Sequence, residues 1–288
     1  MNAPELFEKL GDSVTSVDIL CIAGILLFGR WLLKTSFGRR ALADSAPRRN
    51  NMPLYLPFIP LFIWFGLLGL MLSITGKLLP DLAEWQEVLF VNISLCASSI
   101  MTMVLIIVQV RFSFARRLKG FGLNVKKIHK DFFAALINLL TVWPIVMFAL
   151  VVTIYVGKLI WGQDSQIQQH EELKSIALHS QISVRILIIV TAVVVAPVFE
   201  EVLFRGLFQT SFRSFTRRPW LSILMSSGLF ATVHLDFTAV HWNIEHWPAL
   251  FVLAMCMGYS YEKSGSLFRP IFIHSLFNTI AIISALNQ

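Results

Sequence analysis

The chain has 288 residues, 56% hydrophobic and only 14% charged, with a mean hydropathy of +0.70 and a formal net charge of +7. Those values exclude an ordinary soluble domain and call for an all-α polytopic membrane protein of about eight transmembrane helices, each roughly 20 residues long. The positive charge is not a nucleic-acid footprint, because the basic residues fall in alternate loops, which is how membrane topology is written.

In chain order, the apolar runs fall at about 17–33, 53–75, 88–110, 132–156, 182–204, 220–236, 248–261 and 269–286. Basic residues follow the first run (Lys34, Arg39, Arg40, Arg48, Arg49) and the third (Arg111, Arg116, Arg117, Lys119, Lys126, Lys127, Lys130). They return after the fifth (Arg213, Arg217, Arg218) and the seventh (Lys263, Arg269). The other loops carry Asp81, Glu84 and Glu87, then Asp164, Glu171 and Glu172, then Asp236 and Glu245. This alternation predicts cytoplasmic basic loops in a multi-pass protein of the cell membrane, with both termini on the opposite side. Residues 1–16 are slightly acidic and no small-residue cleavage site follows the first run, so no cleavable signal peptide is expected.

One integral membrane domain is expected. Residues 1–181 supply about four spans and the basic loops, and residues 182–288 form the core that carries the polar motifs. Residues 111–131 mix Phe112, Phe114 and Phe121 with basic side chains, which reads as a basic helix or turn on an anionic leaflet or as a plain positive-inside loop. Cys21, Cys96 and Cys256 all sit in apolar runs and are expected to be lipid- or core-facing thiols. Trp220, Trp242 and Trp247 suit an aromatic belt. The loop from Asp236 to His246 reads as an interfacial segment rather than a second metal site.

The polar groups inside the last four runs carry the chemistry. Ala196-Pro197-Val198-Phe199-Glu200-Glu201-Val202-Leu203-Phe204-Arg205 closes the fifth run. Each charge there costs about 2.5–3.5 kcal/mol at mid-bilayer. Glu201 and Arg205 share a helical face in the favourable acid-before-base order, and Glu200 lies about 100° around from Glu201. The spacing predicts one carboxylate locked by arginine and one aimed into an intramembrane polar cavity. Pro197 leaves the Val193 carbonyl without its helical donor and should kink or loosen the helix before the pair.

Phe230 and His234, four apart late in the sixth run, would place a ring on the cavity wall beside an imidazole. His274 and Asn278 share a face of the last run. Alone, each pair reads as well as helix glue. Together, Glu200, His234, His274 and Asn278 supply a base, two imidazoles and an amide donor, the set needed to activate water and hold an oxyanion. Depth strains this convergence. Glu200 and His274 fall within about two turns of the basic side, whereas His234 lies well beyond Trp220. The groups meet only if the sixth helix starts outside the membrane or tilts strongly.

Glu200-Glu201-x-x-x-Arg205, Phe230-x-x-x-His234 and His274-x-x-x-Asn278 together resemble the signature motifs of the CPBP intramembrane proteases (CAAX protease and bacteriocin-processing, or Abi), which include the type II CAAX prenyl endopeptidases. The resemblance covers roughly residues 180–286. It implies an eight-helix endopeptidase that hydrolyses a peptide bond in a membrane-associated polypeptide, lipidated or not, from a cavity open to the cytoplasmic leaflet. By the same resemblance, Glu200 is the general base, helped by His234. His274 and Asn278 stabilise the oxyanion, Glu201 and Arg205 hold Glu200, and Phe230 lines the substrate cavity.

The family is described both as glutamate-dependent and as metal-dependent. Glu200, His234 and His274 would make an acceptable zinc set, but Asn278 suits an oxyanion better than zinc, so glutamate-activated water without a cofactor is favoured. The alternatives are a non-proteolytic membrane scaffold or partner-binding protein of the same fold and, third, a proton-coupled transporter. Membrane lipid and a polypeptide substrate are the expected partners.

Overall fold

The computed structural model describes residues 16–161, 176, 178, 181–235 and 246–286. Its helices are α1 (Ser16–Lys34), α2 (Phe58–Leu78), α3 (Glu84–Ser113), α4 (Arg117–Phe121), α5 (Ile128–Trp161), α6 (Ile182–Thr216), α7 (Pro219–Val233), α8 (Trp247–Ser264) and α9 (Phe268–Leu286). Each expected span coincides with a helix, and α4 is an added turn within the basic segment. Among the described residues, four stretches are long and apolar enough to cross a membrane: Phe58–Leu78, Glu84–Ser113, Val125–Gly157 and Ile182–Thr216. Pro219–Val233 and Phe268–Ser284 are shorter apolar helices. The chain is thus an all-α polytopic membrane protein.

Punctuation follows local chemistry. Arg217 adopts a left-handed conformation at φ 56° and stops α6. Pro219 then opens α7, where its missing N–H costs nothing. Gly265, also left-handed, ends α8. Helix α5 runs through Pro144, which cannot donate to the Leu140 carbonyl. Gly24 of α1 lies against that carbonyl and the Pro144 ring so closely that a Cβ would overlap both. Glycine here sets how near α1 can lie to α5.

Helix α6 is the axis of the bundle. Residues Glu201–Gln209 are all buried, as expected of a helix surrounded on every side. Two π-helical stretches, Thr191–Val195 and Glu201–Gln209, flank the α-helical turn Ala196–Glu200. The first answers the loosening expected at Pro197. Ala196 N–H donates to Thr191 O in the i→i+5 register. The next donor in that register would be Pro197, which has none, so the Ala192 carbonyl must find another partner.

Helix α8 runs parallel to α6 and is keyed to it at intervals of four residues. Arg205 Nη2 donates to Ala254 O (3.2 Å), Gln209 Nε2 to Gly258 O (3.0 Å), and Arg213 Nε to Glu262 Oε1 (3.0 Å). Gly258 permits this approach, since a Cβ there would stand 2.8 Å from Gln209 Oε1. Because these polar residues are satisfied by α8, α6 continues to Thr216 rather than ending near residue 204.

That extension removes the depth problem. Glu200 lies about 24 Å before the end of α6, and His234 about 22 Å beyond the start of α7. Helix α9 begins deeper in the bundle, because the α8–α9 turn sits beneath α4: Leu267 N–H donates to Gly122 O (3.0 Å) and the Tyr261 hydroxyl to Phe121 O (2.8 Å).

The basic segment packs into the bundle through its aromatic side chains. Phe121 is fully buried under α6, its ring where a Gly206 side chain would be, and Phe114 packs edge-on against it. The indole of Trp220 stacks on Tyr259 and donates to Gly38 O (3.3 Å), so it packs between helices as well as marking a helix end. The three cysteines are free and half-buried. Trp242 and the Asp236–Glu245 part of the interfacial loop lie outside the described residues, as do Asp164, Glu171 and Glu172.

Candidate active site

Glu200 and Glu201 leave adjacent positions of α6 in different directions and meet different partners. Glu201 is fully buried, and its Oε1 accepts from Arg205 Nη1 (3.0 Å) and from His274 Nδ1 (3.0 Å). Arg205, also buried, spends the rest of its fork on Ala254 O and lies over the Phe230 ring, 4.6 Å from the centroid. One carboxylate is therefore locked by arginine, but it also fixes an imidazole, a link that spacing alone did not reveal.

Glu200 faces the two histidines. Its Oε2 stands 3.5 Å from His234 Nε2 and 3.9 Å from His274 Nε2. That oxygen is buried and makes no hydrogen bond. The histidine tautomers follow from the partners of the opposite nitrogens. His234 Nδ1 lies 2.7 Å from Phe230 O, and a carbonyl can only accept, so Nδ1 carries the proton. His274 Nδ1 likewise donates to Glu201. In the neutral rings both Nε2 lone pairs are turned toward Glu200 Oε2, and three acceptors share one small volume. The Glu200 and His234 side chains are about one-fifth exposed, at 19% and 23%, so this volume is reached from outside the core.

Phe230 does not line an open cavity. It is 1% exposed and packs edge-on against Phe204, 4.4 Å from the His234 ring and 6.0 Å from the His274 ring. It backs both imidazoles and the guanidinium, because an i,i+4 ring on α7 points into the bundle rather than along its opening. Asn278 Nδ2 donates to Ala192 O (2.8 Å), the carbonyl that Pro197 leaves without a donor. Half of this amide's donor capacity thus ties α9 to α6. Gln209 and Glu262, which tie α6 to α8, were missed, although the four-residue spacing of Gln209 from Arg205 and the place of Glu262 at the end of a span were visible signals.

Glu200, His234 and His274 are ligand types that zinc accepts. Yet among the described residues no group of three or more His, Cys, Asp or Glu side chains is arranged to hold a metal ion.

Residues 182–280 match the model of the family described as "Type II CAAX prenyl endopeptidase Rce1-like". The chain is also similar to a curated protein of Escherichia coli named "Uncharacterized 24.3 kDa protein", at 27% identity over 131 residues. That match covers 45% of this chain and 58% of the relative's length. No solved structure matches the chain.

Proposed function

We propose that the chain, whose residues 182–280 match the Rce1-like type II CAAX prenyl endopeptidase model, is an intramembrane endopeptidase in which Glu200 activates water. One observation carries this reading. Two imidazoles, each with Nδ1 fixed as a donor, turn Nε2 toward a carboxylate oxygen that has no hydrogen-bond partner of its own. A water molecule is the smallest donor that such a cluster of acceptors can hold.

In the proposed reaction the water oxygen forms a bond to the peptide carbonyl carbon while its proton passes to the Glu200 carboxylate. His234 Nε2 holds the water's second hydrogen and sets its orientation. The C–N bond then breaks as Glu200 returns the proton to the departing amine. His274, neutral at rest, takes up a proton from solvent on Nε2 as the oxyanion forms and then donates it as a hydrogen bond to that oxygen, with Glu201 balancing the imidazolium through Nδ1. The remaining N–H of Asn278 is the second donor. Glu201 and Arg205 are positioning residues, acting through His274 and the α6–α8 junction.

The family match and the long apolar helices support a polypeptide segment associated with the membrane as the substrate class. The test is N-terminomics of membrane fractions from cells carrying the wild type or Glu200→Gln. The variant should keep its amount and melting point, because no hydrogen bond to Glu200 Oε2 is lost. New N-termini present with the wild type should vanish with the variant. Undiminished cleavage by purified Glu200→Gln would end the proposal.

A further inference from the structure

Away from the motif helices' shared centre, at the basic end of α6, Arg48, Arg49, Asn50, Arg213, Ser214 and Arg217 line a surface pocket of about 430 Å³. We propose that this pocket binds a phosphate-bearing anion, and that its resident is the headgroup of an anionic phospholipid. The inference stands apart from the proteolytic reading, since none of these residues touches the Glu200 cluster.

The pocket is held in shape by its own structure. Arg213 and Arg48 approach the buried Glu262 from two sides, at 3.0 and 3.4 Å. Arg48 also donates to Tyr261 O (3.0 Å) and lies 3.6 Å from the centroid of the Tyr261 ring. Arg213 further donates to Ser45 O (3.3 Å) and to the Arg217 carbonyl, which neutralises the exposed C-terminal carbonyls of α6. The loop opposite is fixed as well. Asn50 Nδ2 donates to Ser214 Oγ (3.0 Å), Asn51 N–H to Ser113 O (3.1 Å), and Ala115 N–H to Arg49 O (3.2 Å).

Four guanidiniums therefore surround a site whose framework contains one carboxylate, Glu262, already shared by two of them. Arg49 and Arg217 are exposed and project from this frame. Arginine forks match phosphate oxygens in pairs, and Ser214 and Asn50 add neutral polar groups. Arg217 pays for its place with a left-handed backbone at φ 56°, a conformation that glycine would adopt more easily.

The level of the pocket favours a lipid over a soluble anion. It lies where α6 leaves the apolar bundle, on the side where all the basic loops gather. Phe215, 68% exposed, lies between two of the lining residues in the chain, and Phe112, 81% exposed, precedes Ser113, whose carbonyl holds Asn51; aromatic side chains take such places at the headgroup boundary. Basic residues near such a surface attract anionic lipid.

The experiment uses the full chain in a neutral detergent. Native mass spectrometry would count retained phosphatidylglycerol against phosphatidylcholine at equal mole fraction, for the wild type, Arg49→Gln, Arg217→Gly and the double variant. Thermal melting would be followed without lipid, with phosphatidylglycerol and with inorganic phosphate. The wild type should retain phosphatidylglycerol preferentially, and each substitution should weaken that retention about fivefold. Arg217→Gly should keep or raise the lipid-free melting point, because glycine suits the backbone there. Arg49→Gln carries the test alone if the other variant fails to fold. Unchanged phosphatidylglycerol retention in the double variant would overturn the site. Stabilisation by inorganic phosphate equal to that by phosphatidylglycerol would overturn the headgroup assignment.

Discussion

Removing the charge of Glu201 is the most informative perturbation, because one oxygen serves two partners. In Glu201→Gln, Arg205 remains buried, keeping Ala254 O and the Phe230 face but losing its counter-charge. Breaking one side of a buried ion pair costs about 3–5 kcal/mol, a fifth or more of the roughly 5–15 kcal/mol that holds a typical fold together. At about 2–4 °C per kcal/mol for chains of comparable size, the melting point should fall by roughly 6–20 °C. The double variant Glu201→Gln/Arg205→Met removes the stranded charge and fills similar volume, so most of that loss should return. Cleavage should not return with it. His274 Nδ1 would still face a neutral amide in place of the carboxylate that balances an imidazolium. Differential scanning fluorimetry in detergent, read beside peptide-bond hydrolysis, separates the two effects. A stable, fully active Glu201→Gln would refute the reasoning, and so would a double variant that regains activity together with stability.

Three further outcomes follow. Asn278→Ala leaves the Ala192 carbonyl without a donor beside Pro197 and should cost about 1–3 kcal/mol. If the amide also serves the oxyanion, cleavage by the folded remainder should fall as well; Asn278→Asp, which can neither donate nor stay neutral there, should be worse on both counts. Gly206→Ala pushes a methyl into the Phe121 ring and should cost about 1–3 kcal/mol, seen as a lower melting point, with Phe121→Leu in the same chain recovering part of it. Exhaustive chelation should leave hydrolysis intact with no metal detected by elemental analysis. Reversible loss of activity that only zinc restores would instead assign Glu200, His234 and His274 to a metal.

Much of the architecture was legible because a bilayer leaves few choices: the apolar runs had to be helices, and their order survives in α1–α3 and α5–α9. The pairing of Glu201 with Arg205 was legible from a four-residue spacing. Long-range partners were not. Arg205, Gln209 and Arg213 look like the end of a span until the Ala254 and Gly258 carbonyls and Glu262 are set against them. Misplacing that end misplaced Glu200 in depth and made its meeting with His234 look strained. Phe121 looked like a surface anchor in a basic stretch for the same reason: nothing local shows that Gly206 leaves room for a ring. The link from His274 to Glu201 joins residues 73 apart in the chain, beyond any local pattern.

The rungs between α6 and α8 have a mechanical corollary. Arg205, Gln209 and Arg213 engage Ala254, Gly258 and Glu262 like the wards of a lock, so a slip by a single position would strand all three side chains at once in apolar surroundings. These two rods must therefore travel as one piece. Any parting of the bundle that opens a way to Glu200 has to be made by neighbours that are not bolted to this pair.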